Sequence, residues 1–286
     1  MARIAIVTDS TADLAAGVAA AASIRVVPLY VRFGAEEFLA GVDLSTEQFW
    51  TRMLATGAVI PSTAAPSPGT FKETFEACFA EGVEAIVCPL IGSKLSATFQ
   101  SATLAAQMLP DREIHLIDTG STSMATGIPA LLAAEMAAND TPAAEIADAI
   151  RERLPDIDLY VAVDTLDYLK KGGRLSPTQA AIGTLLSVKP IITVRDGLVV
   201  SAERPRTRGK ARERVIELVT AAPLERLAIL HTPTSTAEEV EAFRDGIVAR
   251  VPGGIDPAFI SIGLLGASTG PHLGPGLMGA AFLRRR

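Results

Sequence analysis

The chain has 286 residues, 49% of them hydrophobic, and a formal net charge of -6 from 26 Lys and Arg against 32 Asp and Glu. That length can bury one large core or two moderate ones, and two domains are the expectation near 300 residues. The acidic balance, with no dense basic run except Arg284-Arg285-Arg286, argues against a nucleic-acid partner, and two cysteines, Cys78 and Cys88, are too few for a disulfide scaffold and lack metal-ligand spacing.

The start, Met1-Ala2-Arg3-Ile4-Ala5-Ile6-Val7, meets Asp9 too soon for the apolar region of a signal peptide, so a cytoplasmic location is expected. Short apolar, β-branched runs then alternate with helical patterns, which predicts an α/β protein with mostly parallel sheets. Strands are expected at Arg3–Thr8, Ile24–Phe33, Ala85–Leu90, Glu113–Asp118, Leu159–Asp164, Pro190–Val194, Leu198–Ala202, Arg226–Leu230 and Ala258–Leu264. Between them, Ser45 with Gln48 and Thr236 with Glu239 fit the capping box, and Ser67-Pro68 and Ser176-Pro177 place a cap before a first-turn proline. After Pro68, the residues Phe71, Phe75, Cys78 and Phe79 recur at helical spacing, and Gly82 is placed to end that helix.

The best boundary between domains is Leu154-Pro155-Asp156-Ile157-Asp158, where a long Ala-rich helical stretch gives way to a new strand, dividing the chain into α/β domains of residues 1–157 and 158–286. Ala258 to Leu283 carries no formal charge, but its many glycines and prolines would break a membrane-spanning helix, so strand, buried loop, strand is expected there and no integral membrane segment.

Ser/Thr/Gly/Pro-rich turns stand where apolar runs end and helical patterns begin: Thr8-Asp9-Ser10-Thr11, Ser62-Thr63-Ala64-Ala65-Pro66-Ser67-Pro68, Gly92-Ser93-Lys94-Leu95-Ser96, Gly172-Gly173-Arg174-Leu175-Ser176 and His272-Leu273-Gly274-Pro275-Gly276. In an open α/β sheet, ligands collect at the carboxyl ends of strands, so hydroxyls and free backbone N–H groups there suggest a site for an anionic head group.

Three patterns point toward enzymes. Gly266-Ala267-Ser268-Thr269-Gly270 matches the G-x-S-x-G nucleophile elbow, but the only later histidine is His272, with no acid behind it. Asp118-Thr119-Gly120-Ser121-Thr122 resembles one aspartic-protease loop where two carboxylates are needed. Ile91-Gly92-Ser93-Lys94 and Arg208-Gly209-Lys210 lack the spacing of a nucleotide-binding P-loop, and the scattered His115, His231 and His272 give no metal cluster. No cofactor is expected. A serine hydrolase using Ser268, or a phosphotransferase with an interdomain site, stands as the alternative to a binding protein.

The order of motifs is informative. Thr8-Asp9-Ser10-Thr11-Ala12-Asp13-Leu14, Pro66-Ser67-Pro68-Gly69, Ser93-Lys94-Leu95-Ser96-Ala97-Thr98, Leu169-Lys170-Lys171-Gly172-Gly173-Arg174, Ser187-Val188-Lys189-Pro190-Ile191-Ile192 and His272-Leu273-Gly274-Pro275-Gly276 together resemble the DegV family from the first strand to the last few residues. The resemblance implies two α/β domains holding one long-chain fatty acid in a tunnel, with the carboxylate near the domain interface. It also implies a partner: a separate fatty-acid kinase subunit to which the acid is presented for acyl-phosphate formation, toward phospholipid synthesis, the chain itself doing no chemistry. By the same resemblance Thr63 and Ser96 are the hydroxyl donors to the carboxylate, Ser93 is a neighbour in the same loop, His272 and Arg174 complete the polar network, and Arg206 faces the kinase. The chain departs from the family at Ala64 and Ala65, where polar side chains are usual, at Ala97 in place of glycine and at Leu273 in place of threonine.

Overall fold

The computed structural model describes residues 3–175 and 188–286. The expected Ser176-Pro177 helix start and Ser187 lie outside the described residues. In chain order the first part contains β1 (Ile4–Asp9), α1 (Ala16–Ala21), β2 (Ile24–Val27), β3 (Tyr30–Phe33), β4 (Glu36–Leu39), α2 (Thr46–Leu54), β5 (Ser62–Ala64), α3 (Pro68–Ala80), β6 (Ala85–Leu90), α4 (Thr98–Gln107), β7 (Glu113–Asp118), α5 (Met124–Ala138) and α6 (Ala143–Arg153). The rest contains β8 (Ile157–Ala162), α7 (Asp167–Lys171), β9 (Ile191–Arg195), β10 (Leu198–Glu203), α8 (Arg208–Val219), β11 (Leu224–His231), α9 (Ala237–Val248), β12 (Ile260–Leu264), α10 (Gly270–Leu273) and β13 (Met278–Arg284).

The α/β class is as expected, and the first sheet, β2-β1-β6-β7, is parallel throughout. The second sheet corrects the expectation of mostly parallel pairing: its order is β10-β9-β8-β13-β11-β12, and only β11 and β12 run parallel. One cause is local. Asp196-Gly197, with φ of 52° and 73°, closes a hairpin between β9 and β10, and both residues take the left-handed φ that matches the twist of antiparallel strands. The other is the final strand, β13, which inserts between β8 and β11 and runs antiparallel to both. The single strand expected over Ile24–Phe33 is two strands, because Pro28 has no N–H to donate to a ladder; β2 joins the parallel sheet and β3 forms a small antiparallel sheet with β4 and β5.

Local signals at the helix starts hold well. The capping boxes of α2 and α9 close with Ser45 N–H donating to Gln48 Oε1 at 2.9 Å and Thr236 N–H to Glu239 Oε2 at 3.2 Å. Ser67 Oγ accepts from Thr70 N–H at 3.1 Å ahead of Pro68, and Gly82, at φ 84°, follows the end of α3. Strand, buried loop, strand is found at the C-terminal end, where β12 and β13 flank a mostly buried 265–277 segment. Among the described residues no helix is long and apolar enough to cross a membrane.

The helix α5 lies between the sheets, contacting β1 and β6 on one side and β8, β11 and β13 on another. Its buried residues run all round the helix, from Met124, Ala125 and Ile128 to Ala130, Ala133 and Ala134, as a helix enclosed on several faces requires. One continuous apolar cluster therefore includes Val31 and Trp50 from the first part and Leu159, Val161 and Leu230 from the second sheet. Trp50 also donates from Nε1 to the Leu265 carbonyl at 2.7 Å, fixing α2 to the start of the 265–277 loop. Gly270 sits directly on Phe49 and Trp50: a Cβ there would overlap the Phe49 ring. Gly270→Ala is expected to cost about 1–3 kcal/mol through this overlap, read as a lowered melting temperature; an unchanged melting temperature would show that α2 and the loop can part without loss.

Candidate ligand-binding site

The carboxyl ends of β1, β6 and β7 open into a cleft enclosing about 490 Å³, part of it open to solvent. Thr11 follows β1, Ile91, Leu95 and Ser96 follow β6, and Thr122 follows β7, so one wall is the strand-end edge where α/β sheets collect ligands. The facing wall comes from the second sheet's connections: Leu169 of α7, Arg174 just after it, and Ser268, Thr269 and His272 near α10. The edge is completed by Thr63, which sits on β5 opposite Val31. Thr63 was expected in a turn; it is a strand residue, and the capping of α3 falls to Ser67.

Thr63 Oγ1 and His272 Nε2 are 2.8 Å apart. Burial, and then the charge of Arg174, pushes the His272 imidazolium down to a pKa of about 4, so the ring is neutral near pH 7 and carries one proton. Its Nδ1 is buried without a hydrogen-bond partner among the described residues and faces the Gly172 backbone, where a Cβ would stand only 2.3 Å away. An orphaned buried N–H is rarer than an under-satisfied acceptor, which puts the proton on Nε2, donated to Thr63 Oγ1. The Thr63 hydroxyl proton is then released toward the cleft.

Ser96 Oγ accepts from Thr98 N–H at 3.3 Å and shares a 2.8 Å hydrogen bond with Thr98 Oγ1, so it partly caps α4 while lining the cleft. Arg174 Nε donates to the Leu95 carbonyl at 3.3 Å and Nη1 donates to the Gly172 carbonyl, which fixes the cation between the two walls. A neutral hydroxyl–imidazole pair, a serine and an anchored guanidinium make an environment for a carboxylate removed from water, since each bond to an ionised acceptor is about twice as strong as a neutral one.

Four of the expected ligand residues, Thr63, Ser96, Arg174 and His272, line this one cleft. Ser93 does not join them: it is exposed, and its N–H donates to Asp118 Oδ1 at 3.1 Å, so its loop turns it away from the lining. Arg206 is also exposed and lies apart from the cleft, between β10 and α8. Asp118 accepts from Gly120 N–H at 2.9 Å as well, so the protease-like loop is a strand-end turn held by its own carboxylate. Ser268 Oγ pairs with Ser10 Oγ at 2.6 Å, not with an imidazole. Among the described residues, no three His, Cys, Asp and Glu side chains gather as a metal site would need.

The residue patterns placed Thr11 in a site-forming turn, and they missed Thr122, Ser268 and Thr269 as lining and the role of Asp13. Asp13, in left-handed conformation at φ 51°, accepts from Gly266 N–H at 3.0 Å, from Thr269 Oγ1 at 2.9 Å and from Ser123 Oγ at 2.6 Å. It clamps the 266–269 loop onto the first sheet, and burial, outweighing these bonds, pushes its carboxyl up to a pKa of about 7. Its place in the Thr8–Leu14 motif was visible in the sequence, but only the fold brings residue 266 beside it.

A second, smaller cleft is walled by apolar side chains including Leu159, Val161, Ile192 and Leu230, and it shares Thr122, Val199 and Leu273 with the first. Residues 3–285 match the family model described as "Uncharacterised protein, DegV family". The chain belongs to the DegV family. A DegV domain-containing protein from Streptomyces coelicolor is 34% identical over 286 residues, 99% of each chain, and Protein DegV of Bacillus subtilis is 32% identical over 285 residues, 98% of each. Among solved structures, this DegV chain is similar to a DegV-family protein from Thermus thermophilus described for fatty-acid binding (31% identity, TM-score 0.88, covering 99% of this chain and 100% of that one). It is also similar to DegV of Bacillus subtilis, described as a fatty acid binding protein (30% identity, TM-score 0.87, covering 100% of both).

Proposed function

We propose that this DegV chain binds one long-chain fatty acid, its carboxylate held by Thr63, Ser96, Arg174 and His272, and presents that carboxylate to a separate kinase subunit for acyl-phosphate formation. The observation that carries the reading is the polarity of two adjoining clefts that share Thr122, Val199 and Leu273: anchored donors line the larger one, and mostly apolar side chains wall the smaller. Burying a chain of about 16 carbons at roughly 0.8 kcal/mol per methylene gives a gross stabilisation on the order of 10 kcal/mol before ordering costs. The tail supplies most of the affinity and the polar end sets orientation, with the carboxylate toward solvent where a second protein can reach it. In this reading the chain is a cytoplasmic carrier that does no chemistry itself, Arg206 faces the kinase from the exposed segment before α8, and the division at 157/158 marks two domains with the head group between them. The similar fatty-acid-binding proteins support the ligand class.

Native mass spectrometry of the purified protein, with organic extraction of whatever it releases, tests the ligand. A fatty acid at one per chain is expected. A protein that emerges empty and takes up none of the fatty acids added to it would overturn the reading.

A further inference from the structure

We infer that Ser268, tethered by Ser10, is a further hydrogen-bond donor to the carboxylate of the bound acid, an inference that rests on the fatty-acid reading above. Ser10 Oγ already accepts from Leu29 N–H at 2.8 Å, and it stands 2.6 Å from Ser268 Oγ. Each hydroxyl has one proton, and only one can lie between the two oxygens. When Ser10 donates to Ser268, the Ser268 proton has no acceptor among the described residues; when Ser268 donates to Ser10, the surplus falls on Ser10. Ser268 lines the cleft that Thr63, Ser96, Arg174 and His272 line, whereas Ser10 does not, so the first arrangement delivers the spare proton to the ligand. Ser268 is only 3% exposed, and a buried hydroxyl proton without an acceptor costs free energy that an anionic oxygen in the cleft relieves.

The position is fixed before any ligand arrives. Asp13 holds Gly266 N–H and Thr269 Oγ1 on either side of Ser268, and Gly270 packs on Phe49 and Trp50, so the hydroxyl sits on a loop tied at both ends. A donor held in place loses little freedom when it bonds. The serine of the G-x-S-x-G pattern thereby acquires a binding role without a base beside it.

The test compares palmitate with hexadecanol, whose tail is the same and whose head carries no charge, by displacement of a fluorescent fatty-acid probe. Ser268→Ala is expected to weaken palmitate about tenfold and to leave hexadecanol nearly unchanged. Ser10→Ala acts as a positioning variant: it weakens palmitate by less, and the double variant weakens it no more than Ser268→Ala alone. Unchanged palmitate affinity in Ser268→Ala, or equal loss for palmitate and hexadecanol, would overturn the inference while leaving the carrier reading standing. Wild-type protein that binds neither ligand would overturn the carrier reading and this inference with it.

Discussion

Thr63→Val is expected to weaken palmitate binding by about 100-fold and to lower the melting temperature as well. The substitution keeps the shape of the side chain and removes its oxygen, so two losses combine. The carboxylate loses a charge-assisted donor, and His272 Nε2–H loses the acceptor 2.8 Å away that justified its proton. Each is a contribution of about 1.5–3 kcal/mol for a buried polar group in this setting, and part of the second is recovered by rotation of the bound carboxylate toward the imidazole. Ser96→Ala, which removes one donor and leaves Thr98 to close the start of α4, is expected to cost about tenfold. Displacement titrations with palmitate and hexadecanol decide the matter: retained palmitate affinity in Thr63→Val would remove the Thr63–His272 pair from the site, whatever else binds there.

The difference between these two variants also illustrates what could be read from residues alone. The turns that build the near wall were legible, because each lies between a β-branched run and a capped helix, and parallel strands oblige such turns to share one edge. Caps were equally legible, since a capping box is satisfied within a few residues of itself. Strand pairing was less so. The Asp196-Gly197 pair between two apolar runs was a hairpin signal present in the chain, and it would have turned the second sheet antiparallel at once. The insertion of β13 between β8 and β11 had no local signal, because it depends on which exposed edge the last strand meets.

The facing wall of the site was legible in part: composition flagged the Gly172–Ser176 and His272–Gly276 turns, but the roles of Arg174 and His272 came only through family resemblance. Nothing near Thr63 in the chain indicates an imidazole 209 positions away, and nothing near Asp13 indicates the loop at 266–269. Ser93 and Ser96 sit three positions apart in one loop, and the loop's bond to Asp118 leaves Ser93 exposed while Ser96 lines the cleft. The small residues of α5 have a packing role where they can be seen, since Ala130 and Ala133 are fully buried against Ile6, Val87 and Ile146.

Asp13→Asn and His272→Gln are expected to tilt the pH dependence of stability in opposite directions between about pH 4 and pH 6.5. The folded chain holds the Asp13 proton up to a pKa of about 7, against 3.8 for an ordinary aspartate, so the folded state binds more protons across that window and stability falls as pH rises through it. The neutral carboxyl is well accommodated: it can donate to Thr269 Oγ1, whose own proton has the Gly266 carbonyl 3.3 Å away. His272 works the other way. Its pKa of about 4, against 6.5, means that the unfolded chain binds the extra proton, so its contribution is complete above pH 6.5 and is lost as pH falls toward 4. Each effect is on the order of 3–4 kcal/mol at full displacement, so in the wild type they largely offset each other below pH 6.5 and Asp13 acts alone from there to pH 7. Removing Asp13 should therefore expose an acid-side loss of stability, and removing His272 should make the protein gain stability as pH is lowered from 6.5. Urea unfolding of the wild type and both variants at several pH values measures this directly, with the variant-minus-wild-type difference cancelling groups common to all three, Asp9 among them. Parallel curves for Asp13→Asn and wild type would mean that the carboxyl is ionised in the folded protein and that the clamp on the 266–269 loop is a charged one.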